Sequence, residues 1–266
     1  SITSELFKKQ NNFSFKESLN YNLICSIIYY YLKNSSSFNN IKKLKDKNYL
    51  GYDDPFIKID NYFVTIDKLS SLVDFDKINR SFNIKNNQFL LEIGAGSGRL
   101  SEAFLSIKNN NNNYIICDIP PALYISYKRL KNAFPKKKIS ILVESEDPKI
   151  LLNQLKKNDI SFIFPHQISL LSKNIIDLTI AIDCLHEMDK KTIKFYFNNI
   201  NHFSKNFYCS IWDKTKNNYS KTLFKKTERL HFDKGDYNFP KNWKNHFREN
   251  LVFPSNHLSL GFKIKD

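Results

Sequence analysis

The stretch Phe89-Leu90-Leu91-Glu92-Ile93-Gly94-Ala95-Gly96-Ser97-Gly98-Arg99-Leu100 leaves the chain few choices. Four apolar residues around Glu92 run straight into three alternate glycines. Leu100, Ala103, Phe104 and Ile107 then recur at helical spacing. The pattern predicts a buried strand, a tight turn and the N-terminus of a helix. Gly94, Gly96 and Gly98 lack Cβ, so the backbone there can take positive φ and let a ligand approach closely. The N–H groups that open the helix face the same ligand. A binding turn is expected, with an ordinary glycine-rich strand-to-helix connection as the alternative.

Spacing narrows the ligand. A dinucleotide fingerprint is G-x-G-x-x-G, whose third glycine packs helix against strand. Here the spacing is G-x-G-x-G, and Glu92 stands two residues before the first glycine. This resembles the first motif of class I S-adenosylmethionine-dependent methyltransferases. The resemblance implies a turn of Glu92, Gly94, Ala95, Gly96, Gly98 and Arg99 around the amino acid end of S-adenosylmethionine, with the acidic residue near its ammonium group. S-adenosylhomocysteine would be the product.

Downstream, Tyr114 to Asp118 reads as a second buried strand, its terminal acid twenty residues past Gly98. In this type of fold such an acid accepts hydrogen bonds from a ribose, which places Asp118 and the adjacent Ile119 at the cofactor. Strand and helix patterns alternate from there, the signature of a parallel α/β sheet. Lys138 to Val143, Ile160 to Phe164, Ile175 to Asp183 and Phe207 to Trp212 read as strands. Asp147 to Lys156, and the segment from Asp189 to about Ser204, read as helices opened by aspartate caps. Alternation at Leu258, Leu260, Phe262 and Ile264 suits an antiparallel edge. Asn109 to Asn113 reads as a loop tip.

Ahead of this region, Phe15 to Lys33 is expected to be an amphipathic helix with Leu19, Leu23, Ile27 and Tyr30 on its apolar face. Phe56 to Ile66 reads as a hairpin or edge strand, and Leu69 to Ile78 as a helix. Asn48 to Pro55 is a turn-rich aromatic segment, either a lid over the site or a packed turn. The expected architecture is therefore α/β and Rossmann-like. A mostly parallel sheet carries helices on both faces and an antiparallel C-terminal edge. A helical and lid region over 1–80 precedes a cofactor-binding domain over 81–266.

Composition bounds the partners. A net charge of +15 invites a nucleic-acid reading, but the lysines are spread along the chain. Small clusters stand at Lys42-Lys43-Lys45-Lys47, Lys136-Lys138 and Lys225-Lys226. A solvated lysine-rich surface is the favoured meaning; an acidic substrate such as a nucleotide-sugar, or an anionic membrane surface, is compatible with it. No apolar run reaches membrane-span length. The scattered Cys25, Cys117, Cys184 and Cys209 form no C-x-x-C pair, which points to reduced thiols in a cytoplasmic protein and to no metal site. Position 1 is a serine, so an initiator or a signal segment removed from the chain is one expectation.

Several stretches together resemble one narrower group, the sugar O-methyltransferases of bacterial surface-polysaccharide loci. They are Leu91 to Leu100, Asp118-Ile119-Pro120-Pro121-Ala122-Leu123, Phe164-Pro165-His166-Gln167, Leu185-His186-Glu187-Met188 and Phe207 to Trp212, with the Asn48 to Pro55 and Phe239 to Trp243 turns. The strand before Trp212 departs from the pattern, lacking the basic and amide residues expected there. The resemblance implies O-methylation of a sugar, nucleotide-sugar or glycan hydroxyl. A base must take the hydroxyl proton as the new bond forms. His186 follows the C-terminal end of a core strand, where ligands bind in open α/β sheets, and is either that base or a packing histidine. Glu187 is the base itself, a group orienting a histidine, or a ligand to a divalent ion. His166 and Gln167 end the preceding strand, at the adenine or in a solvent-facing loop. Asp183 contacts the methionine portion of the cofactor or caps the next loop, and His257 is a weaker candidate. His202, His231 and His246 have no commending neighbours. Two competing functions are an RNA-modifying methyltransferase and a non-catalytic scaffold in glycan assembly.

Overall fold

The computed structural model describes residues 14–44, 56–108, 111–142, 147–213, 235–251 and 257–264. The expected Asn48 to Pro55 lid lies outside them, as do Lys45, Lys47, Val143, Lys225, Lys226 and His231. The chain divides into two compact units.

In the first unit, Ser14 opens helix α1 (Phe15–Lys33) through a capping box. Its hydroxyl accepts the Glu17 N–H, and the Glu17 carboxylate accepts the Ser14 N–H. The helix has the expected span, but the expected face is reversed. Leu19, Leu23, Ile27 and Tyr30 are exposed, whereas Tyr21, Cys25, Ile28, Tyr29 and Leu32 are buried. Both sides of this helix are apolar, so periodicity could not choose between them, and the tyrosine hydroxyls mark the inward side. The Tyr21 hydroxyl accepts the Ile66 N–H at 3.1 Å, and the Tyr29 hydroxyl donates to Asp60 at 2.8 Å. Asp60, at φ 51°, forms the turn between strands β1 (Ile57–Ile59) and β2 (Tyr62–Val64), an antiparallel hairpin. Helix α2 (Ile66–Phe82) exceeds the expected Leu69 to Ile78 at both ends. Thr65 caps its start by accepting the Lys68 N–H, and Asn83 in the left-handed region ends it. Helix α3 (Arg99–Ile107) and the residues from Tyr124 of helix α4 (Pro120–Ala133) also belong here.

The second unit holds an eight-stranded sheet. In chain order its strands are β3 (Phe89–Ile93), β4 (Asn113–Cys117), β5 (Ile139–Ile141), β6 (Ile160–Ile163), β7 (Leu178–Ile182), β8 (Asn206–Trp212), β9 (Trp243–Asn250) and β10 (His257–Ile264). Their spatial order is β5-β6-β4-β3-β7-β8-β10-β9. Every pairing up to β8 is parallel, and β10 joins β8 and β9 antiparallel, so the mostly parallel sheet has the antiparallel C-terminal edge expected of it. The chain moves outward from β3 to one side through β4, and from β7 to the other through β8. This makes β3 and β7 a topological switch point, where ligands bind in open α/β sheets.

One face of the sheet presents Leu91, Ile93, Ile115, Cys117, Ala181, Phe207 and Cys209 to helices α5 (Pro148–Lys157) and α6 (Lys190–Phe203). Asp147 and Asp189 cap these helices, and Leu151, Leu155, Ile193, Phe197, Ile200 and Phe203 supply their apolar stripes. Leu90, Tyr114, Ile116, Phe162, Ile180 and Tyr208, on the alternate positions, are buried as well. The parallel strands accordingly read as unbroken apolar runs.

The Phe239 to Trp243 turn is a core element. Trp243 is 6% exposed, with ring centroids 5.3 Å from Phe197, 5.2 Å from Phe207 and 5.7 Å from Phe262. Its indole N–H donates to Asn201 at 2.9 Å, pinning β9 to α6. Truncating a buried aromatic of this kind costs about 3–5 kcal/mol. Trp243→Ala should therefore lower the urea midpoint by that much stability at an unchanged m-value. Phe195→Ala, on the exposed side of α6, should stay within about 0.5 kcal/mol of the parent.

Candidate active site

Three strands of the parallel sheet end together, and expected site residues sit on all three. Gly94 directly follows β3, Asp118 follows β4 and Asp183 follows β7. Gly94 has φ +69°, and its N–H donates to the Cys117 carbonyl at 2.9 Å. A Cβ at this position would lie 2.6 Å from Cβ of Cys184, so the residue must be glycine for space as well as for dihedral angle. Cys184 in turn donates its thiol to the Ile93 carbonyl at 3.3 Å. Burial, and then the carboxylates of Asp118, Asp183 and Glu187, push that thiol well above its ordinary value. It is a fixed donor, and the three acids that hold it protonated converge on the same strand ends.

Asp118 is 9% exposed and accepts the Ile119 N–H at 2.8 Å, while Ile119 itself is exposed. Glu92 is buried on the opposite face of β3 from Leu91, and its carboxylate accepts the Tyr114 hydroxyl at 2.8 Å. Burial and the Glu92 charge raise that hydroxyl far above its usual range, which keeps it a donor.

Beyond β7 stands a cluster that spacing did not foretell. Asp183 leaves the strand at φ 54°, and its Oδ1 accepts the Nε2–H of His257 at 2.8 Å and the indole N–H of Trp212 at 3.2 Å. Nδ1 of His186 lies 3.6 Å from the same oxygen. The Trp212 ring packs 4.8 Å from His186 and 5.4 Å from His257, centroid to centroid. Burial works against the Asp183 charge, but the bond from His257, the two imidazoles and the Trp212 bond outweigh it and hold the carboxyl below the usual range. Burial lowers His186, and His257 adds to that, against an opposing pull from Asp183; the ring is thereby kept neutral. Partial burial and the Asp183 and Asp118 carboxylates raise Glu187, the next residue, whose side chain is exposed. Antiparallel register, not spacing along the chain, sets Trp212 and His257 opposite each other at the ends of β8 and β10.

Other expected residues have different work. Gln167 does not present its amide to a ligand: its oxygen accepts the Phe164 N–H at 2.9 Å and its nitrogen donates to the Leu142 carbonyl at 2.6 Å. It ties the β6 exit to the β5 exit. His166 is exposed and stacks on Phe164 at 5.9 Å. In the helical unit, the Arg99 guanidinium donates to Asp74 at 3.0 Å and Ser71 at 3.3 Å, clamping α3 to α2 rather than reaching into the turn. Gly96, at φ +55°, would meet nothing within 4 Å if given a Cβ, so its dihedral angle and not a lack of space favours glycine there. Gly98, at φ +77°, caps α3 with its Cβ position 3.0 Å from Ser126. Among the described residues no group of three or more His, Cys, Asp or Glu could hold a metal ion, and no helix is long and apolar enough to cross a membrane.

Two outcomes test this geometry. Gly94→Ala combines a left-handed alanine with a clash against Cβ and Sγ of Cys184 and should cost more than about 2 kcal/mol, whereas Gly96→Ala should cost only about 1 kcal/mol of dihedral strain. Thermal unfolding of both variants measures the contrast. His186 is held below the ordinary histidine value of about 6.5. Above that pH the ring is neutral in folded and unfolded chain alike and contributes no pH dependence. As pH falls from about 6.5 the unfolded chain takes the proton first, so folding stability drops. Melting temperatures at pH 7.5 and 5.5 should differ less in His186→Gln than in the parent.

No family model matches the chain, and no curated protein matches it in sequence. Among solved structures it is similar to a SAM-dependent methyltransferase from Aquifex aeolicus, at 14% identity over 72% of this chain and 90% of that one, with a TM-score of 0.47. It is similar to the pyocyanin biosynthetic protein PhzM at 13% identity, over 75% of this chain and 56% of that one, with a TM-score of 0.47. It is also similar to a geranyl diphosphate C-methyltransferase from Streptomyces coelicolor A3(2), solved with Mg2+, geranyl diphosphate and S-adenosyl-L-homocysteine. That match has 8% identity over 76% of this chain and 82% of that one, with a TM-score of 0.47.

Proposed function

We propose that the chain is an S-adenosylmethionine-dependent O-methyltransferase whose acceptor is a sugar hydroxyl in glycan or surface-polysaccharide biosynthesis. The observation that carries the reading is the meeting of Gly94, Asp118 and Asp183 at the ends of β3, β4 and β7, the switch point of the sheet. The residues fit the cofactor. Asp118 follows its strand directly with a carboxylate suited to the two ribose hydroxyls. When bound, S-adenosylmethionine supplies a methyl group made electrophilic by its sulfonium.

The chain's own residues then have to orient the acceptor and take its proton. A sugar hydroxyl is a weak nucleophile at neutral pH, and a neutral imidazole is a competent acceptor for its proton. His186 is biased toward that neutral form, and Asp183 stands beside Nδ1 to stabilise the imidazolium once Nε2 is protonated. Glu187, exposed next to it, is a candidate contact for the acceptor's other hydroxyls. The choice of a sugar rests on the resemblance carried by Asp118 to Leu123 and Leu185 to Met188. The lysine-rich surface is compatible with a nucleotide-linked or anionic glycan.

Calorimetric titration with S-adenosylmethionine should give saturable binding; absence of binding overturns the reading. Asp118→Ala removes charge-assisted hydrogen bonds and should weaken binding by about 10- to 100-fold. His186→Ala should spare cofactor binding and lower methyl transfer about 10²- to 10⁴-fold, measured with labelled methyl groups against a panel of nucleotide-sugars. Full turnover by His186→Ala removes the base assignment.

A further inference from the structure

We propose that His257 is a positioning residue for His186: from β10 it anchors the Asp183 carboxylate against which Nδ1 of His186 is set. The inference rests on the reading of His186 as the base. One carboxylate oxygen, Oδ1 of Asp183, is the meeting point of three rings. His257 donates to it at 2.8 Å, Trp212 at 3.2 Å, and His186 stands off at 3.6 Å. The last distance is just beyond a hydrogen bond, so the two anchoring donors take the carboxylate first.

The asymmetry has a physical purpose. Asp183 is half exposed and leaves β7 in a left-handed conformation, so nothing in its own backbone confines its side chain. His257 is 4% exposed and is itself fixed by strand pairing opposite Trp212. A carboxylate tied to two such donors keeps one position. Were Asp183 released, it would close on His186 and form a full ion pair, raising the affinity of the ring for a proton and filling it before an acceptor arrives. Held at 3.6 Å, it leaves His186 neutral in the resting protein. It is still close enough to tighten as Nε2 gains a proton, a change common when catalytic hydrogen bonds form only in the reacting complex. Among the described residues the groups that act on Asp183 or feel its charge are His186 and Glu187 from the turn after β7, Cys184 next to it in the chain, Trp212 from β8, His257 from β10 and Tyr237 ahead of β9.

The test reads the ring of His186 in the full chain labelled with ¹⁵N-histidine, with no acceptor present. His257→Phe keeps a ring and removes the donor. The titration midpoint of His186 should rise by at least about half a pH unit, and its preference for one tautomer should weaken. His257→Gln restores a donor and should return both toward the parent. An unchanged midpoint and tautomer in folded His257→Phe overturns the proposal. If thermal unfolding shows that His257→Phe does not fold, Trp212→Phe removes the second donor to the same oxygen. A rise in the His186 midpoint there supports the anchor, and an unchanged midpoint overturns it. Because these readouts need no turnover, they separate from the base assignment: full activity of His186→Ala would end that assignment and leave the ring measurements interpretable by themselves.

Discussion

Everything in the sheet unit depends on how closely β3 and β7 approach where they end. Gly94 is the pivot. Its N–H bonds the Cys117 carbonyl of β4, while the Cys184 thiol reaches back to the Ile93 carbonyl from the far side. Any side chain at Gly94 would occupy the space of the Cys184 side chain. Three neighbouring strand ends are thus tied together, and the acids that follow two of them, Asp118 and Asp183, flank Gly94. The chemistry at the switch point follows from a missing Cβ.

The C-terminal edge does more than close the sheet. Trp243, Phe239 and Phe262 pack with Phe197 and Phe207 into a continuous aromatic layer beneath α6. That layer holds β10 in register with β8, and the register sets His257 across from Trp212. A residue more than seventy positions from Asp183 in the chain therefore becomes its hydrogen-bond partner. Core packing at one end of the edge strands specifies a polar contact at the other. This coupling explains why an aromatic turn far from the strand ends matters to them.

Several polar groups inside this unit are tied by specific hydrogen bonds. Glu92 has Tyr114, Gln167 has two backbone partners, and Asp183 has an imidazole and an indole. In surroundings of low polarity an unpaired group would be costly, so each of these bonds limits where its side chain can point. His186 is the contrast. It lies close to a carboxylate without a full hydrogen bond to it, and burial lowers its hold on a proton.

By itself the amino-acid sequence determined the parallel α/β character, the glycine turn after β3 and the positions of the aspartate caps. Those features are local: apolar runs of strand length, glycine at positive φ and acids at helix starts are each decided within a few residues. It also singled out Asp118, which directly follows a core strand, and His186, which lies in the turn a few residues beyond another. Only the tertiary structure decided which face of α1 is buried, since both faces are apolar and the choice fell to the bonding of Tyr21 and Tyr29. Long-range pairing likewise joins Arg99 to Asp74 and Gln167 to the Leu142 carbonyl. It gathered Asp183, His186, Trp212 and His257 around one oxygen for the same reason: strand order and antiparallel register join residues whose separation along the chain carries no periodic signal.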